Sequence, residues 1–268
     1  PYLLEPNLLI WDLCCNVIAS LQATAYSSVC ESSYLSPSNY EALAEAFLAE
    51  VRRRSSAAAP LPALLGLQEW PSDGTEKFKA FSKVFAAHSF CVVPGPLGTA
   101  CAYRGFSNGD VDQLCPAPEE PGRASVNAVA VMEKCISNST DAISKKDAEA
   151  LLKTTAKKTL ALHLRTEGVI FCVVHSKEPK SSAASNVLAS FFKSMMETCS
   201  AAVGVEPGGC PFLLASDTNV SAGEVSTSLI QGALERGLSL LPRGSCTTSK
   251  HRSVLHGQCY DMRKCNIT

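Results

Sequence analysis

Apolar residues in this chain recur with two periods, and each period predicts its own kind of element. Apolar-rich runs occur as NLLIWDLCCNVIA (7–19), ALLGLQEW (63–70), HSFCVVPG (88–95), GTACAYRG (98–105), SVNAVAVMEK (125–134) and PFLLAS (211–216). Their length and their β-branched and aromatic content predict strands. The stretch KTLALHLR-TEG-VIFCVVHS (158–176) reads as two strands closed by a glycine-containing turn, the clearest hairpin in the chain. Helical spacing predicts helices over 36–54, 74–87, 183–202 and 223–236. Ser38 or Asn39 can cap the first of these, and the Arg52–Arg54 run suits its C-terminal dipole. Residues 105–124, rich in Pro and Gly, read as a polar loop, and 136–150 as a polar excursion that is partly helical.

Hairpins here interleave with single helices instead of following a strict βαβ alternation. That order predicts an α+β fold, a sandwich with helices outside two packed sheets. No internal repeat or linker divides the 268 residues, so a single domain over 1–268 is expected. The chain opens at Pro1 and stops at Thr268 without a closing element, which reads as a domain incomplete at both ends.

Composition narrows the picture. With 46% hydrophobic and 18% charged residues the chain has the material for a packed core. No apolar run reaches the roughly 18–20 residues a membrane-spanning helix needs. A net charge of −1 gives no global basic field, so any phosphate-binding surface must be local. One basic stretch qualifies: residues 243–264 hold Arg243, Lys250, Arg252, Arg263 and Lys264 against a single acid, Asp261. A solvated basic loop is its plainer reading. The 13 cysteines are an odd count without any C-x-x-C pair, and several lie inside apolar runs, Cys91 and Cys172 among them. They read as reduced core residues, which points to an intracellular compartment, cytoplasmic or nuclear.

Several strands share an ending. LLGLQE stops at Glu69, VIFCVVH at His175, PFLLASDTN at Asp217 and Asn219, and LCCN at Asn16. Polar groups at strand ends on one edge of packed sheets can converge on a pocket. Two oxygen ligands plus waters suit Mg2+, with Mn2+ an acceptable substitute. Asp217 and Asn219 are two apart, so in an extended chain both face the same side while Thr218 faces away. Each residue also has a plainer reading: Glu69 as a solvated turn residue, His175 as a structural histidine, Asp217 and Asn219 as an Asx-turn or helix cap.

The segments LCCNVIA, LLGLQEWPS, GTACAYR, FCVVHSKEP and FLLASDTNVS stand in the order found in the exonuclease–endonuclease–phosphatase superfamily, and nearly the whole chain resembles it. GTACAYR and LCCNVIA look most like the branch of nocturnin and the messenger-RNA deadenylases. The resemblance implies a four-layered α/β sandwich, two mixed β-sheets packed face to face with helices outside, and Mg2+-dependent phosphoester hydrolysis. It implies that Glu69 ligates the metal, that Asn16 sits at metal and phosphate, and that His175 contacts the scissile phosphate. Asp217 with Asn219 would position or activate water. Tyr103, Arg104, Lys250 and Arg252 are the substrate-binding candidates.

The chain departs from the family at its end. The family closes its site with an Asp-His pair, and after Asn219 this sequence has only His251, His256 and Asp261. The reading is therefore a nuclease or phosphodiesterase acting on RNA. A phosphatase or lipid phosphodiesterase of the same superfamily, or a non-catalytic binding module, are the alternatives.

Overall fold

The structure, a computed structural model, describes residues 9–10, 40–54, 64–68, 70–116, 125–177, 179–206, 209–217 and 224–238. They contain helices and two β-sheets, so the α+β expectation holds at that level. The contacts divide them into two compact units, one within 9–94 and 101–105 and the other within 95–100 and 106–238.

The first unit carries β1 (Leu9–Ile10), α1 (Tyr40–Arg54), β2 (Leu64–Leu67), α2 (Glu76–Ala87), β3 (Cys91–Pro94) and β4 (Ala100–Tyr103). Its sheet has the order β1-β2-β4-β3, with the two-residue β1 on the edge of a three-stranded core. β1 runs parallel to β2, Leu9 beside Leu65 and Ile10 beside Gly66. The predicted strand 7–19 is described only at these two residues. Helix α2 starts where Thr75 accepts a hydrogen bond from the Phe78 amide at 3.1 Å. It buries Ala80, Phe81, Val84 and Phe85, a stripe at helical spacing. Trp70 sets its ring edge-on to Phe78, Phe81 and Phe85 at 6.4, 5.7 and 5.1 Å, and Phe47 of α1 stacks on Phe85 at 6.1 Å. Lys83 and His88 reach Glu41 and Glu45 of α1 at 2.7 and 2.8 Å. These pairs are solvent-exposed and add little beside the aromatic contacts.

The second unit carries β5 (Val111–Cys115), α3 (Ala128–Ser137), α4 (Lys145–Ala150), β6 (Thr159–Leu164), β7 (Val169–His175), α5 (Ser182–Ala202), β8 (Phe212–Asp217) and α6 (Glu224–Glu235). The order is β5-β6-β7-β8, antiparallel except for the parallel β7–β8 pair. α4 passes through a π turn (Leu151–Thr155) and a 3-10 turn (Ala156–Lys158) straight into β6. The main core lies on one sheet face, where Ala161, Ile170, Cys172 and Val174 meet Met132 of α3 and Val187, Leu188, Phe191 and Met195 of α5.

Two sequence expectations fail in this unit. Residues 125–134 were expected to form a strand, but Ala128–Ser137 form a helix. The alternating valines are outweighed by Asn127, whose side chain accepts from the Ala130 amide at 3.1 Å, and by Ala128, Met132 and Cys135, buried at helical spacing. The loop expected over 105–124 contains β5, an edge strand that buries only Leu114 and Cys115 and so carries too few apolar residues to announce itself.

Seven cysteines are free among the described residues, and all but Cys91 are buried. Burial pushes the Cys115 thiol up to about 11 and the Cys199 thiol up to about 12, and it also raises those of Cys101 and Cys172. Tyr103 is pushed up to about 12, chiefly by burial and then by the Cys91 and Cys101 thiols. Groups whose folded pKa is raised stabilise the fold below their unfolded pKa and lose that contribution as pH climbs through the folded value. The urea midpoint should therefore hold up to about pH 8, below the ordinary thiol range, and fall steadily between about pH 9 and 12. A midpoint unchanged over that range would contradict the buried placement of these thiols.

Packing also makes a sharper prediction at Gly95. A Cβ there would stand 2.7 Å from Thr99 Oγ1 and 3.0 Å from the Leu160 Cβ, whereas one at Gly109 would meet nothing within 4 Å. Gly95→Ala should cost about 1–3 kcal/mol by overpacking, and Gly109→Ala should be close to neutral. Equal denaturation midpoints for the two variants would refute this packing.

Candidate functional site

Among the sequence candidates, the structure describes His175, Tyr103, Arg104 and the backbone of Asp217. His175 and Asp217 close the parallel strands β7 and β8 and are Cα partners in register. A parallel pair needs both strands to finish at one edge, so two strand-end residues far apart in sequence become neighbours about 4.8 Å apart.

Register builds the site row by row. β6 sets Leu162 opposite Phe171 and Leu160 opposite Val173, and β8 sets Leu213 beside Phe171 and Ala215 beside Val173. Side chains alternate along strands, so these are two successive rows on one face. Leu160, Leu162, Phe171, Val173 and Ala215 are all at most 3% exposed. Thr159 stands opposite Val174, which puts Lys158 at the next position, level with His175. The third row therefore reads Lys158, His175, Asp217: two apolar rows end in a polar one. Lys158 Nζ lies 3.4 Å from His175 Nδ1.

Backbone ties hold this row in place. Thr159 Oγ1 donates to the Thr155 carbonyl at 3.0 Å, and the buried Thr155 and Ser176 hydroxyls meet at 2.9 Å. Ser176 Oγ donates in turn to the Lys177 carbonyl at 2.9 Å. The segments carrying Lys158 and His175 are thus bonded to each other on the far side of the pair. Ser216, one residue before Asp217, has a buried hydroxyl with no partner among the described residues.

The first unit presents another strand end. Glu69 lies outside the described residues, but its neighbours are firmly placed: Gln68 is 2% exposed and Trp70 is 4% exposed. Both amide atoms of Gln68 and the Trp70 indole nitrogen are buried without a partner among the described residues. Tyr103 is buried, and the Arg104 guanidinium lies 5.7 Å from the Phe90 ring centre. Asn16, Asn219, Lys250 and Arg252 lie outside the described residues, as do His251, His256 and Asp261.

Among the described residues no three His, Cys, Asp or Glu side chains stand close enough to hold a metal ion. Mg2+ does not need such a group, because it keeps several waters and takes one or two carboxylates. β1 and β2 run parallel, and Asn16 and Glu69, both outside the described residues, follow them in sequence. A carboxylate and an amide oxygen are the hard donors that Mg2+ takes, and in chemistry this set fits it.

Lys158 and the Thr155–Ser176 tie escaped the sequence reading. A signal for Lys158 was present in the hairpin: counting outward from a turn at 165–168 pairs position 158 with 175. No family model, curated protein or solved structure matches this chain.

Gln68 offers a direct test. A buried amide without partners costs about 1–3 kcal/mol of desolvation, so the near-isosteric Gln68→Met should raise stability by about 1 kcal/mol or more. A lower denaturation midpoint would mean that the amide is satisfied.

Proposed function

We propose that this chain is a divalent-metal-dependent phosphoester hydrolase, a phosphodiesterase or nuclease with RNA as its substrate class, built as a four-layered α/β sandwich. The observation that carries the reading is the Lys158, His175, Asp217 row at the end of an apolar sheet face. A ring donor and a carboxylate at one edge are groups that transfer to water requires: a hydrogen bond to a phosphoryl oxygen and orientation of the attacking water. The order of strand-end motifs along the sequence supports the same reading.

In this mechanism His175 donates to a non-bridging phosphoryl oxygen, and the bond strengthens as negative charge builds there. Asp217 and Asn219 hold the water, Asp217 as acceptor of its proton. Glu69 and Asn16 would hold Mg2+. When bound, the ion offsets charge developing on the phosphoryl oxygens. Lys250, Arg252, Tyr103 and Arg104 would bind the remainder of the substrate. Apolar rows beneath the polar one lower the local dielectric, which strengthens each of these interactions.

The test is hydrolysis of bis(p-nitrophenyl) phosphate and of a short RNA with Mg2+ present and after chelation. Turnover should need the metal, and Glu69→Ala should abolish it. Asp217→Asn should lower kcat by about 10²–10⁴-fold, the contribution of a positioned acid or base, with an unchanged circular dichroism spectrum. An Asp217→Asn protein as active as the parent would refute the site.

A further inference from the structure

We infer that Lys158 is a positioning residue for His175, holding the imidazole in its Nε2-protonated tautomer. A lysine ammonium has donors only, so at 3.4 Å from Nδ1 it makes that nitrogen the acceptor. A neutral imidazole carries one ring proton, which then sits on Nε2. The geometry around the pair is not left to two flexible side chains. Lys158 is the last residue of the turn that feeds β6, and Thr159 next to it is bonded back to the Thr155 carbonyl at 3.0 Å. Thr155 is in turn joined to Ser176, the residue after His175, by a buried contact of 2.9 Å. Both ends of the Lys158–His175 contact are therefore fixed at the backbone, and both side chains are half-buried.

The consequence is chemical. With Nδ1 engaged, Nε2–H serves as a hydrogen-bond donor, and the ring is set up to donate to an oxygen anion instead of accepting a proton from water. Proton removal then falls to Asp217, one strand over in the same row. What the donor acts on rests on the phosphoester reading; the tautomer rests on the Lys158 contact.

Two measurements on the full chain separate these. The first is a long-range proton–nitrogen correlation spectrum of protein labelled at its 5 histidines, with the His175 signals identified by their loss in His175→Gln. His175 should show a protonated Nε2 and a bare Nδ1. In Lys158→Met, which keeps most of the side-chain length without the charge, the signals should move toward the Nδ1-protonated form or an average of the two. Lys158→Arg, which retains donors, should keep the parent pattern. A protonated Nδ1 in the parent protein, or a Lys158→Met spectrum identical to the parent's, overturns the inference.

The second measurement is hydrolysis of bis(p-nitrophenyl) phosphate. Lys158→Met should lower kcat on the order of tenfold, as when the partner of an orienting group is removed, with a smaller change in KM and partial recovery in Lys158→Arg. A change confined to KM would make Lys158 a substrate anchor and overturn the positioning role. If the parent protein shows no metal-dependent turnover at all, the phosphoester reading fails, while the spectrum still decides the tautomer.

Discussion

Six consecutive side chains of β7, Val169 to Val174, are buried, so the strand has no solvent-facing side on which an error of register could be hidden. A slip of one residue against β6 or β8 would exchange the faces of every side chain. It would also draw Lys158 or His175 into the row that now holds Thr159, Val174 and Ser216. Moving a charged group into such a row without a partner costs several kcal/mol. The polar row thus does more than end the apolar face, because it locks the register that the two-sided burial of β7 would otherwise leave to the hairpin turn. Gly168, at φ +61°, supplies the left-handed residue that this turn requires.

The same arrangement bears on the chemistry proposed at this edge. A hydrogen bond made beside buried leucine, valine and alanine is electrostatically stronger than one made in water. Parallel pairing of β7 and β8 is what delivers the carboxylate-bearing strand end beside the imidazole. An antiparallel β8 would have sent its far end there instead, and Phe212 would stand where Asp217 does. The crossover through α5 makes this topology possible, since parallel neighbours need a long connection. The helix buries a broad apolar stripe against the other face of the sheet and so anchors both strands.

Much of this was legible in the sequence because the strongest periodic segments coincide with the best-packed elements. The hairpin 159–175, α2, α5, β8 and α6 lie within a few residues of their expected positions. The failures have local causes. At 125–134 a side-chain cap and buried positions at helical spacing overrode alternating valines. At 111–115 an edge strand with two buried residues gave too short an apolar run. At the proposed site, His175 and Asp217 stood out because each ends an apolar run, whereas Lys158 precedes one and was invisible to that criterion. Only pairing across the hairpin reveals it. Asn16, Glu69, Asn219, Lys250 and Arg252 lie outside the described residues.

The first unit repeats the same physical device with different chemistry. Trp70 is held by three phenylalanine rings, and Gln68 sits at the end of a fully buried strand. Those anchors flank position 69 in the sequence on both sides. A glutamine amide and an indole nitrogen buried there without a partner among the described residues are costly in stability. Natural chains keep such groups where they have a task, as strained or unsatisfied positions cluster at functional sites. Aromatic packing sets the backbone in one unit and strand register sets it in the other. In both, the residue proposed to carry chemistry follows in sequence on a side chain buried in the core.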